Sequence, residues 1–245
     1  MAIDQAMAVA MNGVAAVAAV AAARTLHVSR RGLVPYGPAW DLQKRLAAEL
    51  VAGTGRDTLL LLEHPPVYTL GRNSLAEHIL ASPEEIGRRG ATVERNDRGG
   101  EVTFHGPGQL VAYPVIKLDP EERSISRLVD NLEQAIIDTL GDYGLPGERL
   151  PDQRGVWTRN RKIASVGLSV KRWVVMHGMA LNVAPDLSYF ALINPCGHPE
   201  TVMTSMEQEL GRAPSLAEVG DRFARHLARH FNRCLTIDGQ PSADS

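Results

Sequence analysis

A cysteine at position 196 stands between a proline and a glycine, in Leu192-Ile-Asn-Pro-Cys-Gly-His-Pro199. Proline fixes its own φ and lacks an N–H, and glycine tolerates unusual backbone angles, so such a turn can present a sulfur at a fixed point. A free thiol is a weak nucleophile near neutral pH and needs a base or a cation to hold it as thiolate. The alternative is a buried structural cysteine, although a Pro-Cys-Gly turn offers little surface to pack. A lysine suited to act as the base is Lys162, in Trp157-Thr-Arg-Asn-Arg-Lys-Ile-Ala-Ser-Val-Gly167, where apolar and small residues follow it. Desolvation there would favour the neutral amine that a base requires, whereas a solvated charge at a strand end is the plain alternative. A third stretch, Arg98-Gly-Gly-Glu-Val-Thr-Phe-His-Gly-Pro-Gly-Gln109, gathers glycines and a proline around Arg98 and His105. Its free backbone N–H groups, a fixed positive fork and a group that titrates near neutral pH suit a binding loop, against the simpler reading of a glycine-rich turn.

Other chemistries are open to the same residues. Cys196, His198, His105 and His177 offer the sulfur and nitrogen ligands that zinc takes. His226-Leu-Ala-Arg-His230 has the spacing of a metal-binding helix without the glutamate of H-E-x-x-H. Phe223 and Leu227 mark the buried stripe of that helix, which leaves the two histidines on a solvated face; Cys234 reads as structural. The 98–109 loop lacks the terminal Gly-Lys-Ser/Thr of a nucleotide-phosphate loop, and no G-x-G-x-x-G follows a strand.

These residues need a scaffold. Leu42, Leu46 and Leu50 predict an amphipathic helix over 38–51, and Leu128, Leu132, Ile136 and Leu140 predict another over 126–140. Thr58-Leu-Leu-Leu-Leu62 reads as a buried strand, Ser82-Pro-Glu-Glu85 as the capped start of a short helix, and Val102–His105 as a strand that ends in Gly106-Pro-Gly108. Residues 162–170 and 173–183 alternate with period two and predict an antiparallel hairpin. In its second strand Val175, His177, Met179, Leu181 and Val183 share one face, while Gly178, Ala180 and Asn182 lie on the other, where small side chains let a ligand approach. A last helix opens on the capping box Ser215-Leu-Ala-Glu218 and buries Val219, Phe223, Leu227 and Phe231. The pattern is α/β (or α+β), a single domain on a mixed sheet with no repeat or linker.

Composition agrees. With 245 residues, 44% of them hydrophobic and 22% charged, the chain can bury a substantial core. A net charge of −2 argues against nucleic acid and membrane as partners, and two cysteines favour a reducing compartment. Residues 1–23 are rich in Ala and Val and contain no Lys or Arg, unlike the basic start of a secretory signal, and Asn12-Gly13 interrupts the run. They read as a disordered or weakly helical extension before a catalytic domain at 24–237 and a tail at 238–245.

Taken together and in order, several stretches resemble the lipoyl(octanoyl) transferase family, also called lipoate–protein ligase B. They are Leu61-Leu-Glu-His-Pro-Pro-Val-Tyr-Thr-Leu-Gly-Arg72, Arg98–Gln109, Lys162–Gly167, His177-Gly-Met-Ala-Leu-Asn182 and Asn194-Pro-Cys-Gly197. The resemblance runs from about Leu26 to Cys234. It implies the fold of the catalytic domains of biotin and lipoate protein ligases. It also implies transfer of an octanoyl (or lipoyl) group from acyl carrier protein to a lysine of lipoyl-accepting domains, those of 2-oxo acid dehydrogenases and glycine cleavage protein H. The family role of acyl-accepting cysteine falls on Cys196, and that of its partner lysine on Lys162. Family substrate-binding segments fall on Arg98, Gly99, Gly100, Glu101, Val102, Thr103, Phe104 and His105, on Ser165, Val166 and Gly167, and on Gly178, Met179 and Ala180. The family reading implies a cytoplasmic enzyme of protein lipoylation, with neither cofactor nor metal. An ATP-dependent lipoate or biotin protein ligase is the competing expectation, with a related fold but no need of a nucleophilic cysteine.

Overall fold

The structure, a computed structural model, describes residues 24–151, 153–194 and 201–237. In chain order the strands are β1 (Arg24–Leu33), β2 (Thr58–Glu63), β3 (Val67–Leu70), β4 (Thr92–Arg95), β5 (Val102–His105), β6 (Gln109–Val115), β7 (Glu148–Leu150), β8 (Gln153–Thr158), β9 (Arg161–Lys171), β10 (Val174–Asn182) and β11 (Arg233–Ile237). The helices are α1 (Tyr36–Ala52), α2 (Pro83–Arg88), α3 (Ile125–Gly141), α4 (Met206–Leu210) and α5 (Leu216–His230).

Eight strands form one sheet in the order β11-β1-β2-β6-β10-β9-β8-β7, and three form a second in the order β4-β3-β5. β1 is parallel to β2 and β11, and the remaining pairs of the large sheet are antiparallel, which makes the mixed α/β domain that the patterning predicts. The unbroken apolar run in β2 has a direct cause, because helices cover both faces of the sheet there. Leu59 and Leu61 enter the main core with Leu132 and Ile136 of α3 and Phe223 and Leu227 of α5. Leu60 and Leu62 point the other way and pack with Ala39 of α1.

The helices form where expected, with local differences. α1 begins at Tyr36, because Pro38 is tolerated within a first helical turn. Gly53 ends it at φ 80, its N–H bonded to the carbonyls of Glu49 and Leu50. Ser82 caps α2 by accepting from Glu85 N–H at 3.3 Å. Ser215 makes no such side-chain bond, so the capping box expected at α5 is not formed. His226 and His230 are not on a solvated face either: they bond Asp142 at 2.9 Å and Asp138 at 2.7 Å and fasten α5 to α3. Cys234, expected to be structural, is exposed on the edge strand β11.

The β9–β10 hairpin turns through Arg172 and Trp173 at φ 51 and 60, the positive pair that a tight two-residue connection requires. At His177 the period-two pattern fails. This residue sits at φ 59, and its N–H donates to Oε1 of Gln43 on α1 at 2.7 Å rather than to a neighbouring strand. The rotation sends the imidazole away from Val175 and Met179, to lie beside the rings of Trp40 and Tyr113. Gly178 follows, and a Cβ there would stand 2.1 Å from the Ala112 carbonyl oxygen and 2.7 Å from Cδ of Pro114. Its small size therefore admits the backbone of β6. Gly178→Ala is expected to destabilise the fold by about 1–3 kcal/mol, the usual range for forcing atoms into a filled site. Urea unfolding measures this, and an unchanged midpoint would contradict the packing described.

Candidate active site

Lys162 is the second residue of β9 and is only 3% exposed, so its position is not that of a solvated strand end. Its Nζ lies over the ring of Trp157, 4.8 Å from the centroid. Room for the side chain comes from Gly155, at φ 120, where a Cβ would sit 3.0 Å from the lysine Cε. Gly155 N–H in turn donates to Oε1 of the buried Glu133 of α3 at 2.9 Å. The backbone of Lys162 is held at both ends. Its N–H donates to the Val202 carbonyl at 2.8 Å, and its carbonyl accepts from Thr204 N–H at 2.9 Å.

Cys196 lies outside the described residues, as does His198. Both flanks of the segment 195–200 are placed. Asn194 N–H donates to the His78 carbonyl at 2.8 Å, and Ile193 bridges to Ile79. On the other side Thr201 lines the same cleft as Lys162.

That cleft has a volume of about 410 Å³, at the small end for a ligand site. Lys162, residues 98–103, His105, residues 165–167 and residues 178–180 all face it, so three stretches of the chain, 98–105, 162–167 and 178–180, converge on one cavity. Phe104 is the exception: its ring stacks on Tyr189 at 4.5 Å and packs edge-on against Phe190 in the second core. Strand alternation explains this, since Thr103 and His105 flank it and point the other way. Val166, Met179 and Ala180, with Ile125 and Val129 of α3, give the cavity apolar walls, whereas Val102 borders it with its side chain in the second core beside Phe104. The α3 residues, Tyr36 and Tyr113 escaped the sequence reading, because an aromatic or aliphatic residue on a helix or strand carries no sign that its face is a cavity wall.

Arg98 is 8% exposed, and its guanidinium is turned inward. Nη2 donates to the carbonyl and hydroxyl oxygens of Thr69 at 2.6 and 2.9 Å, and Nη1 to the Gly99 carbonyl at 3.1 Å. These bonds tie the binding loop to β3. Gly71 makes the approach possible, since a Cβ there would meet the Gly100 carbonyl oxygen at 2.4 Å.

The histidines beside the cleft form a buried, neutral cluster. Burial, helped by neighbouring positive groups, pushes the His105 pKa down to about 3, which corrects the expectation of a group titrating near neutral pH. Its Nδ1 lies 2.7 Å from Oε1 of Gln109, and its Nε2 lies 3.4 Å from the Thr69 hydroxyl. Gln109 uses its Nε2 as donor elsewhere, so His105 Nδ1 carries the proton. His64 bonds the Val34 carbonyl and the Tyr113 hydroxyl, and burial takes its pKa to about 4. His177 lines the cleft and holds Asp97 at 2.8 Å; burial lowers its pKa despite that partner. Burial alone would raise Asp97, but the bonds and charges of His177 and Lys171 outweigh it and hold the carboxyl at about 2.

A pH dependence follows for stability. His64 and His105 stay neutral in the fold well below the unfolded value of about 6.5, so the unfolded chain binds protons that the native state refuses. Stability is therefore complete above about pH 6.5 and falls as pH drops, with a slope of up to ~1.4 kcal/mol per pH unit for each histidine. The urea midpoint should be lower at about pH 5 than at about pH 7, and His105→Gln should flatten the difference. Equal midpoints in the unaltered protein would refute the neutral cluster.

Among the described residues no group of three His, Cys, Asp or Glu is placed to hold a metal ion, and both ring nitrogens of His105 are engaged by Gln109 and Thr69. Nor, among those residues, is any helix long and apolar enough to cross a membrane.

The architecture is one already seen in solved structures. A lipoate protein ligase from Thermoplasma acidophilum superposes with a TM-score of 0.69 at 15% identity, over 89% of this chain and 90% of that one. A lipoate-protein ligase A bound with ATP gives 0.68 at 16% identity over 90% of each chain. The biotin protein ligase of Aquifex aeolicus gives 0.52 at 13% identity, over 84% of this chain and 70% of that one. At such identities the likeness concerns the fold, and the fold is that of the lipoate and biotin protein ligase catalytic domains. Sequence takes the assignment further. The lipoyl protein ligase A/B catalytic domain matches residues 35–228. Octanoyltransferases from Chloroflexus aurantiacus and Solibacter usitatus are 50% and 52% identical to this chain, over 85% of it and 95% and 94% of theirs. The chain belongs to the lipoyl protein ligase A/B catalytic-domain family and, within it, to the octanoyltransferases, acyltransferases of protein lipoylation.

Proposed function

We propose that the chain moves an octanoyl group from the thioester of an acyl carrier protein to a lysine of a lipoyl-accepting domain, by way of a thioester on Cys196. The observation that carries this reading is the placement of Lys162, buried, facing the cleft and gripped through its backbone by Val202 and Thr204, a few residues after Cys196 in the chain. In the first half, Lys162 accepts the Cys196 proton and the thiolate attacks the donor carbonyl. The carrier sulfur leaves and takes that proton back from Lys162. In the second half, the acceptor amine attacks the Cys196 thioester and gives a proton to Lys162, which returns it to the departing Cys196 sulfur. Two thioester cleavages replace one direct transfer, and the energy already stored in the donor thioester makes ATP unnecessary.

The acyl chain lies along Val166, Met179 and Ala180, with the backbone of residues 98–102, Thr103, Ser165, Gly167 and Gly178 around it, while Arg98 and His105 hold the loop in shape. Phe104 supports this wall from behind. The acceptors are the lipoyl domains of 2-oxo acid dehydrogenases and glycine cleavage protein H, in the cytoplasm, and residues 24–237 form the catalytic unit. Mixing the protein with octanoyl-carrier protein and a lipoyl domain in the absence of ATP tests the reading by intact mass. The domain should gain one octanoyl group; transfer only from free octanoate with ATP would make the protein a ligase instead.

A further inference from the structure

Beneath the cleft a line of amide side chains runs from the histidine cluster to the backbone of Lys162. His105 Nδ1 donates to Oε1 of Gln109 at 2.7 Å, and Gln109 Nε2 donates to Oδ1 of Asn182 at 2.9 Å. Asn182 Nδ2 then donates to the Thr204 carbonyl, also at 2.9 Å. Gln109, Asn182 and Thr204 are buried. Every donor in the line points toward Thr204, and Gln109 also donates to the Phe104 carbonyl, so neither amide can flip without losing bonds. Beyond it, Val202 and Thr204 clasp the two backbone groups of Lys162, and Met203 pairs with Lys162 in parallel register. On its far side Thr204 donates its hydroxyl to Glu209 at 2.6 Å, and Glu209 is held in turn by Arg159 and Arg161.

Asn182 ends β10, whereas residues 202–204 follow Cys196 in the chain, so this carboxamide joins the sheet to the stretch that comes after the cysteine. We propose that Asn182 is a positioning residue for acyl transfer: fixed by Gln109, it holds Val202–Thr204 against the Lys162 backbone and so sets where the lysine amine stands in the cleft. This rests on the reading of Lys162 as the proton carrier. Asn182 does not touch the reacting atoms; it acts only through the lysine.

Asn182→Asp tests it, because it keeps the volume but puts an oxygen where the donor to Thr204 was. Turnover with octanoyl-carrier protein should fall about 10- to 100-fold, the size expected of a misplacement near 1 Å, with KM for the donor within about twofold. The deciding measurement is the cycle with Lys162→Ala. If Asn182 works through the lysine, Asn182→Asp should cause no further loss once the lysine is gone. Equal losses in both backgrounds, or no loss in the first, would overturn the inference. Should Asn182→Asp fail to fold, Gln109→Glu, which still accepts from His105 but has no donor for Asn182, enters the same cycle with the same expectation. Lys162→Ala alone separates the two claims: full turnover in that variant defeats the base assignment, whereas additive losses with an impaired Lys162→Ala defeat only the role of Asn182.

Discussion

Cys196→Ala is expected to abolish both the covalent octanoyl adduct and net transfer. When the unaltered protein is mixed with octanoyl-carrier protein alone, its intact mass should rise by one octanoyl group; in the alanine variant it should not change. The loss of turnover should be on the order of 10⁴ or more, as for other enzymes stripped of their nucleophile. An adduct that survives in Cys196→Ala would mean that the acyl group rests elsewhere, and the two-step transfer would have to be abandoned. Cys196→Ser refines the result. A hydroxyl is far harder to deprotonate than a thiol and makes an ester that is less reactive toward an amine, so this variant should be slow in both halves.

Lys162→Ala should reduce both half-reactions, by roughly 10²- to 10⁴-fold, the range for a positioned acid–base group. Acylation of Cys196 can be followed with the donor alone, and deacylation by adding a lipoyl domain to preformed acyl-enzyme. A loss confined to one half would assign the lysine to a single proton transfer rather than to all of them. The variant should stay folded, which thermal unfolding checks, since the bonds of the residue 162 backbone to Val202 and Thr204 do not need the lysine side chain. Lys162→Arg should also be slow: a guanidinium is a much weaker acid than an ammonium and cannot give up and retake a proton near neutral pH.

Period and spacing made much of the scaffold legible before any coordinates. Leu128, Leu132, Ile136 and Leu140 are all buried on α3 as their spacing demands, and Thr58–Leu62 is the doubly covered strand that an unbroken apolar run implies. The misreadings share a physical origin. His177 leaves its face because its N–H finds Gln43 on a helix more than a hundred residues earlier. His105 loses its expected titration because burial, His64 and Arg98 together penalise its charge. His226 and His230 look solvated on their own helix, yet α3 brings Asp138 and Asp142 up to them. Gly178 faces the cleft as its spacing implies, but the lack of a side chain there is also demanded by the close approach of β6. Each error concerns a partner distant in sequence, which local pattern does not encode.

The amino-acid sequence by itself determined the family, the helices and strands and the residue types available for acyl transfer. Those depend on composition, local conformational preference and motif spacing, which are properties of neighbouring residues. Only the tertiary structure decided that Lys162 is buried rather than solvated, that segments around residues 100, 166 and 179 share one cavity with it, and that Phe104 does not. It likewise decided that Asn182, on the face read as open to ligand, spends its carboxamide on Thr204 and thereby on the backbone of the lysine. Burial and long-range hydrogen bonding arise when distant stretches pack together, and the direction of each side chain there is set by what it meets.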